Sequence, residues 1–112
     1  MGFERFDVVR VPFPFADRDA VKNRPALVLS DSAMFNAPAG HSVMAMITSA
    51  VHASWPLDCA ISDLAAAGLP APSVIRWKVF TLDHRLVRAT VGRLSDTDAA
   101  AARIAIERLL GL

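Results

Sequence analysis

Hydrophobic and polar residues alternate along residues 8–15, the first apolar stretch of this 112-residue chain. A period of two predicts a half-buried β-strand. Its apolar face, predicted to be core, consists of Val9, Val11, Phe13 and Phe15. The opposite face carries two prolines, which cannot donate to a ladder, so the far end of this strand is predicted to lie at a sheet edge or to leave the sheet. Residues 26–29 are uniformly apolar instead and predict a central strand buried on both faces.

The rest of the chain up to residue 93 gives signals for loops, further strands and one helical turn. Polar loops are predicted at 16–23 and 31–41. A turn is predicted at 50–56, and strands at 42–48, 57–61, 73–82 and 86–93, the last two joined by a tight turn at 83–85. A single helical turn is predicted from Asp63 to Ala67, because Gly68 can end it.

The last segment gives the clearest helix signal. Ser95 is a predicted N-cap, and Asp98, three residues later, favours the helix start. Gly111 predicts the end, and an apolar stripe at helical spacing is formed by Ala99, Ala102, Ile106 and Leu109. These elements predict a mainly β fold (α+β by element count), a small antiparallel β-barrel with a C-terminal helix. The length predicts a single domain, residues 1–112.

Composition narrows the class of protein. The chain is 54% hydrophobic and 21% charged, which excludes a disordered chain. No apolar run reaches the ~18 residues that a membrane span needs. Glu4 and Asp7 stand where a signal peptide has a basic region and an apolar core. The single cysteine, Cys59, is predicted to be a buried thiol and fits a reducing compartment. We therefore expect a cytoplasmic protein without membrane contact.

Charge is balanced overall, at +1, but is uneven along the chain. Between Arg76 and Arg93 there are five basic residues and one acid, Asp83. This bias favours a phosphate-binding surface, although solvated strand faces would give the same pattern.

Arg24 has an unusual setting, because it stands immediately before Pro25 and the apolar run. A residue before proline is held in an extended conformation, so the direction of its side chain is well fixed. Arginine stays charged and binds phosphate with two hydrogen bonds. The alternative is a surface arginine paired with Asp17 or Asp31.

Two hydroxyl residues, and an arginine beside a tryptophan, are further candidates. Thr48 and Ser49 end a predicted strand, where hydroxyls can donate to phosphate oxygens or simply cap a turn. Arg76 stands next to Trp77, and guanidinium and indole planes both stack on bases. A packed tryptophan with Arg76 on the opposite face is the alternative, and Trp55 allows the same two interpretations.

Signatures of a metal or cofactor site are missing from the sequence. The three histidines, His41, His52 and His84, are scattered, and no carboxylate or cysteine stands near them at ligand spacing. There is no Gly-rich phosphate loop and no Gly-x-Ser-x-Gly motif. We therefore expect neither a metal nor a cofactor.

Five short segments stand in order along nearly the whole chain: DVVRVPFPF at 7–15, RPALVLS at 24–30, ITS at 47–49, SVIR at 73–76 and VGRLS at 91–95. Together they resemble the MazF/PemK toxins of bacterial type II toxin–antitoxin systems. The resemblance implies an SH3-like barrel that forms a homodimer. It implies a metal-independent endoribonuclease (an mRNA interferase) that cuts single-stranded RNA. The ribose 2′-hydroxyl attacks its own phosphate and leaves 2′,3′-cyclic phosphate and 5′-hydroxyl ends.

The resemblance also implies partners and residue roles. A cognate antitoxin is expected to cover the RNA groove, with DNA bound only through the antitoxin. By position, Arg24, Thr48 and Arg76 are the expected catalytic residues. RNA contacts are expected at Ser49, Lys78 and Trp77, and in the first loop at Asp17 and Arg18.

The identity of the general base is left open by the resemblance. Some members carry an aspartate two residues after the second arginine, where this chain has Lys78, and some carry a histidine in the loop after the first strand. Asp17 and Asp19 are candidates to replace them.

Two alternatives to the nuclease remain: a catalytically inactive barrel that binds an antitoxin or nucleic acid, and an SH3-like peptide-binding module. The second needs an aromatic groove, and the chain has no tyrosine.

Overall fold

Six antiparallel strands form one curled sheet in the computed structural model of the protein, which describes residues 2–13 and 22–112. The strands are β1 (Asp7–Phe13), β2 (Lys22–Val28), β3 (His41–Ser49), β4 (Cys59–Ala60), β5 (Ser73–Asp83) and β6 (Ala89–Arg93). Their order across the sheet is β4-β5-β3-β2-β1-β6. The predicted fold class is confirmed: the sheet is a half-barrel that carries a helix at its C-terminal end.

Helical segments connect the strands. They are a π-helical turn (Ser32–Asn36) that continues into α1 (Ala37–Ala39), α2 (Leu64–Ala67), a 3-10 turn (His84–Leu86) and α3 (Asp96–Leu110). The loop predicted at 31–41 is therefore partly helical, because the Asp31 side chain accepts a hydrogen bond from the Met34 N–H at 2.8 Å and starts the turn. None of the helices in the described ranges is both long and apolar enough to cross a bilayer.

The ends of α3 are as predicted. Ser95 Oγ accepts a hydrogen bond from the Asp98 N–H at 3.2 Å, and Gly111 ends the helix in the left-handed conformation, with φ 71°. The apolar stripe is correct at Ala102, which is fully buried. It is wrong at Leu109, which is 41% exposed, because Ala105 takes the buried position one turn earlier.

The curled sheet is packed on both faces. The face against α2 and α3 holds the larger core cluster, which includes Leu27, Ile47, Ile75 and Trp77. The other face holds Val9, Val11, Ala26, Val28, Met44 and Leu82. The prediction that 26–29 is a central strand buried on both faces is therefore confirmed for β2.

The tight turn predicted between the last two strands is confirmed, but the pairing of those strands is not that of a hairpin. The turn at 83–85 is present, with the Asp83 side chain accepting from the Arg85 N–H at 2.9 Å. The strands that it joins do not pair with each other, because β5 lies against β3 and β4 whereas β6 lies against β1.

Phe13, expected in the core, is 44% exposed, because β1 ends there and its side chain lines a surface pocket. Phe15 lies outside the described residues.

Candidate functional site

An open pocket of about 140 Å³ lies on the sheet and is lined by residues of β1, β2, β3 and β5. The lining residues are Phe13, Arg24, Met46, Ile47, Thr48, Arg76 and Lys78. All three residues expected to be catalytic (Arg24, Thr48 and Arg76) therefore come together, with Lys78 beside them. The described lining contains three basic side chains and no carboxylate or imidazole, so it is suited to an anion.

Strand pairing explains why residues far apart in sequence meet here. Met46 of β3 lies opposite Ala26 on one side and opposite Arg76 on the other, which aligns the three strands in one row. The paired residues of β2 and β3 end at this row, and Pro25, the next residue of β2, has no N–H to donate. The strands therefore separate between Arg24 and Thr48, and this separation opens the pocket.

An irregularity in β5 lies beside the pocket. The register of β3 and β5 shifts between Ala45 and Met46, which leaves Trp77 and Lys78 without a partner residue on β3. Bulges of this kind redirect side chains and are common next to functional sites. Here Arg76 and Lys78 both line the pocket, and the residue between them lies on the opposite face of the strand.

The residue between Arg76 and Lys78 is Trp77. The prediction that Trp77 contacts RNA beside Arg76 is wrong, because its side chain is buried. Trp77 is 8% exposed and packs in the core cluster under α3. Its indole N–H donates to the Leu57 carbonyl oxygen at 2.6 Å. Neighbouring residues of a strand point to opposite faces, so an arginine in the pocket places the following tryptophan in the core.

The exposed indole at the pocket belongs to Trp55 instead. Trp55 is 45% exposed, and its ring centroid lies 4.8 Å from Lys78 Nζ and 5.4 Å from Arg76 Cζ. Cation–π contacts at these distances hold an aromatic surface beside the two charges. Of the two tryptophans, only Trp55 presents its ring next to the pocket residues.

Arg76 is held by an acid that sequence reasoning missed. Its Nε donates to Asp58 Oδ1 at 3.3 Å and its Nη2 to Asp58 Oδ2 at 2.9 Å, while Nη2 also donates to the Ala53 carbonyl at 2.6 Å. This pairing raises the pKa of Arg76 and lowers the pKa of Asp58. The sequence placed Asp58 inside a predicted short strand, 57–61, and gave no signal for this contact. It forms because β4 begins at Cys59, the next residue, and Cys59 pairs with Ile75, the neighbour of Arg76.

The remaining candidates lie apart or outside the described residues. Ser49 is exposed at the end of β3, does not line the pocket and accepts a hydrogen bond from the Val51 N–H at 3.4 Å, as in turn capping. Asp17, Arg18 and Asp19 lie outside the described residues. In residues 2–13 and 22–112, no three His, Cys, Asp or Glu side chains form a group that could hold a metal ion.

Four of the five basic residues between Arg76 and Arg93 lie either in the pocket or in surface ion pairs. Arg76 and Lys78 line the pocket. Arg85 pairs with Asp83 at 2.7 Å, and Arg93 pairs with Asp7 at 2.9 Å. The local excess of positive charge is therefore not one continuous surface.

Comparison with known proteins agrees with this fold. A family model described as the PemK-like, MazF-like toxin of type II toxin–antitoxin systems matches residues 4–110. One MazE–MazF structure from Deinococcus radiodurans (Form-II) superposes with a TM-score of 0.74 at 22% identity, covering 100% of this chain and 98% of that one.

Two mycobacterial structures are similarly related. An endoribonuclease in complex with its cognate antitoxin, from a Mycobacterial species, gives a TM-score of 0.73 at 20% identity, over 98% of this chain and 94% of that one. The Mycobacterium tuberculosis toxin MazF-mt6 gives 0.72 at 21% identity, over 95% and 97%. At such identities these likenesses show the fold. No curated protein sequence matches the chain significantly.

Proposed function

We propose that this chain, which belongs to the PemK-like, MazF-like toxins of type II toxin–antitoxin systems, is an endoribonuclease that cuts single-stranded mRNA without a metal ion. The observation that carries the proposal is the pocket in which Arg24, Thr48 and Arg76 meet, with Lys78 and an exposed indole beside them. Basic side chains bind the phosphates of a single strand, and an aromatic ring stacks on its bases. Because the substrate is mRNA, the cytoplasm is the proposed site of action.

The proposed reaction is an internal transfer at one phosphate. The ribose 2′-oxygen loses its proton and bonds to phosphorus, the P–O5′ bond breaks, and the 5′-oxygen takes up a proton. The products are a 2′,3′-cyclic phosphate and a 5′-hydroxyl. Negative charge develops on the phosphoryl oxygens in the transition state, and fixed donors such as guanidinium and hydroxyl groups stabilise it.

Each pocket residue has a defined part in this scheme. Arg24, held extended by Pro25, binds the scissile phosphate from β2, and Thr48 donates its hydroxyl from β3. Arg76 stabilises the developing charge from β5, with its orientation set by Asp58. The candidate bases for the 2′-hydroxyl are Asp17 and Asp19 of the first loop.

Two protein partners belong to the proposal. A cognate antitoxin would cover the basic pocket and prevent RNA binding. A second copy of the chain would cover an apolar groove of about 350 Å³ between the sheet and α3, where Val79 is 48% exposed and Leu110 is 63% exposed. The mass of the purified protein in solution, measured by light scattering, tests the homodimer.

Cleavage of RNA by the purified, antitoxin-free protein tests the central claim. Long single-stranded RNA should be cut in the presence of EDTA, and end-group analysis should find cyclic phosphates and 5′-hydroxyls. Arg24→Ala and Thr48→Ala should lower the rate by a factor of about 10² or more, as loss of one transition-state donor does. Arg85→Ala, which removes the same charge outside the pocket, is the matched control and should cut normally.

One observation favours a second function, a non-catalytic barrel that binds RNA or an antitoxin. The pocket offers no carboxylate or imidazole in its described lining and has Lys78 where some relatives carry an acid. Such a protein would bind single-stranded RNA through Arg24 and leave it intact. Intact RNA after long incubation with folded protein would overturn the nuclease proposal and support this one.

A further inference from the structure

Asp58 forms a two-point ion pair with Arg76 at the edge of the pocket. The two contacts are 3.3 and 2.9 Å long, and the Arg76 and Asp58 side chains are 9% and 11% exposed. A guanidinium that meets a carboxylate through two parallel hydrogen bonds has one preferred plane. The direction of the Arg76 guanidinium is therefore fixed by protein contacts before any substrate arrives.

The same carboxylate also orders the segment before β4. Asp58 Oδ2 accepts a hydrogen bond from the Trp55 N–H at 2.9 Å, and the Asp58 N–H donates to the Trp55 carbonyl at 3.2 Å. Arg76 adds a hydrogen bond to the Ala53 carbonyl of this segment at 2.6 Å. One acidic side chain thus connects the arginine of the pocket to the exposed indole beside it.

The geometry leaves one nitrogen of Arg76 for a ligand. Nε and Nη2 donate to Asp58 and Ala53, whereas Nη1 has no hydrogen bond to another residue of the described part of the chain. Because Arg76 lines the pocket, Nη1 is the group that can reach an anion bound there.

We infer that Asp58 is a positioning residue: it holds Arg76 so that Nη1 faces the scissile phosphate, and it keeps Trp55 beside that phosphate. This inference rests on the proposed nuclease function. Asp58 is not the base of the reaction, because both of its oxygens are occupied by donors. Its contribution is orientation, and misplacing a reacting group by about 1 Å costs about 10²-fold in rate.

Substitution at Asp58 tests the role. Asp58→Asn keeps the size of the side chain but turns an amide N–H₂ toward Arg76, and Asp58→Glu keeps the charge. We expect Asp58→Asn to lower kcat by about 10- to 100-fold, with a KM change of a few-fold at most. Asp58→Glu should recover part of that loss. Asp96→Asn, an exposed aspartate in the first turn of α3, is the matched control and should behave as wild type.

A direct measurement accompanies the kinetics. The side-chain Nε–H signal of Arg76 in ¹⁵N NMR should be sharp and slow to exchange in the wild type, and it should broaden in Asp58→Asn. Circular dichroism and thermal unfolding confirm that each variant is folded. The wild-type NMR signal and Asp58→Glu keep the test decisive if Asp58→Asn does not fold.

The outcomes separate the inference from the function on which it rests. A wild type that cuts RNA and a folded Asp58→Asn that cuts equally fast would refute the positioning role and leave the nuclease function standing. If the wild type cuts no RNA, the function fails, and the NMR signal decides about Asp58. An Arg76 Nε–H signal that is sharp in the wild type and broad in Asp58→Asn supports the positioning role of Asp58. The same signal in the wild type and in Asp58→Asn refutes it.

Discussion

Replacing Asp98 with alanine should destabilise the fold by about 3 kcal/mol. Asp98 is 4% exposed although it carries a charge, and its carboxylate joins the start of α3 to the segment that leads into α2. The Ser62 N–H lies 3.0 Å from both oxygens, Ser62 Oγ donates at 2.7 Å, and the Asp63 N–H donates at 3.0 Å. Removal of this one side chain therefore leaves two backbone donors and one hydroxyl without their acceptor.

The magnitude follows from those contacts. A hydrogen bond to a charged group contributes a net ~1.5–3 kcal/mol, and a buried donor left unpaired costs ~1–3 kcal/mol. Two effects offset part of this loss of stability. The variant no longer buries a charge, and water can enter the space left at Ser62, which is itself exposed. About 3 kcal/mol is the expected balance, several times the effect of an ordinary surface substitution.

Urea unfolding followed by tryptophan fluorescence measures the effect. The matched control is Asp96→Ala, which removes an exposed aspartate from the same helical turn and should change the free energy of unfolding by no more than about 0.5 kcal/mol. If Asp98→Ala unfolds at the same urea concentration as Asp96→Ala, the reasoning from buried donors is refuted.

The pH dependence gives an independent check of the same contacts. Burial raises the pKa of Asp98, but the hydrogen bonds from Asp63, Ser62 and Ser95 outweigh it, so the pKa in the folded state lies below its ordinary value. A depressed pKa in the folded state contributes stability above the unfolded value of about 4, and this is lost as the pH falls through the folded value. The stability gap between wild type and Asp98→Asn should therefore be full at neutral pH and narrow below about pH 4. A constant gap from neutral to acid pH would contradict the assignment.

Three further results are expected. Trp55→Ala should weaken binding of an uncleavable 2′-deoxy oligonucleotide by about 1–3 kcal/mol in fluorescence anisotropy, because one base loses its stacking surface. Lys78→Gln should reduce the slope of log affinity against log salt by about 0.7, the value for one phosphate contact on a single strand. Gly68→Ala should destabilise the fold by about 3 kcal/mol in urea unfolding, because its φ of 72° disfavours a side chain and a Cβ would lie 2.0 Å from the Val91 carbonyl oxygen.

Each of these has a control in the chain. Val51→Ala alters another exposed side chain of the Trp55 loop and should leave binding unchanged, and Arg85→Gln should leave the salt slope unchanged. Gly40→Ala shares the positive φ, at 65°, but its Cβ would meet nothing within 4 Å, so it should cost only about 1–2 kcal/mol. Equal effects in a variant and its control would contradict the stated reason.

The elements of the fold could largely be predicted from the sequence, because their signals are local. Period-two alternation predicted β1, and the serine cap and the glycine stop predicted the two ends of α3. Strand partners are not local, since β6 pairs with β1 from the other end of the chain. No pattern within a segment can specify that choice.

The candidate site divides in the same way. Arg24, Thr48 and Arg76 were expected from the family resemblance, but that they come together in one pocket depends on β3 lying between β2 and β5. The wrong expectation at Trp77 could have been avoided, because strand alternation places the residue after Arg76 in the core once Arg76 faces the pocket. The omission of Asp58 could not, because the contact between Asp58 and Arg76 forms only when β4 pairs with β5.

Asp58 could influence the reaction through its negative charge or through its orientation of Arg76, and these two roles predict opposite effects of Asp58→Asn on the cleavage rate. Removing a negative charge beside a phosphate site should strengthen anion binding, since the repulsion between Asp58 and phosphate disappears. Removing Lys78 should weaken it. If Asp58 mattered only through its charge, Asp58→Asn would bind RNA more tightly and cut at least as fast. A slower reaction with undiminished affinity therefore has to come from the lost orientation of Arg76, because the electrostatic change alone acts in the other direction.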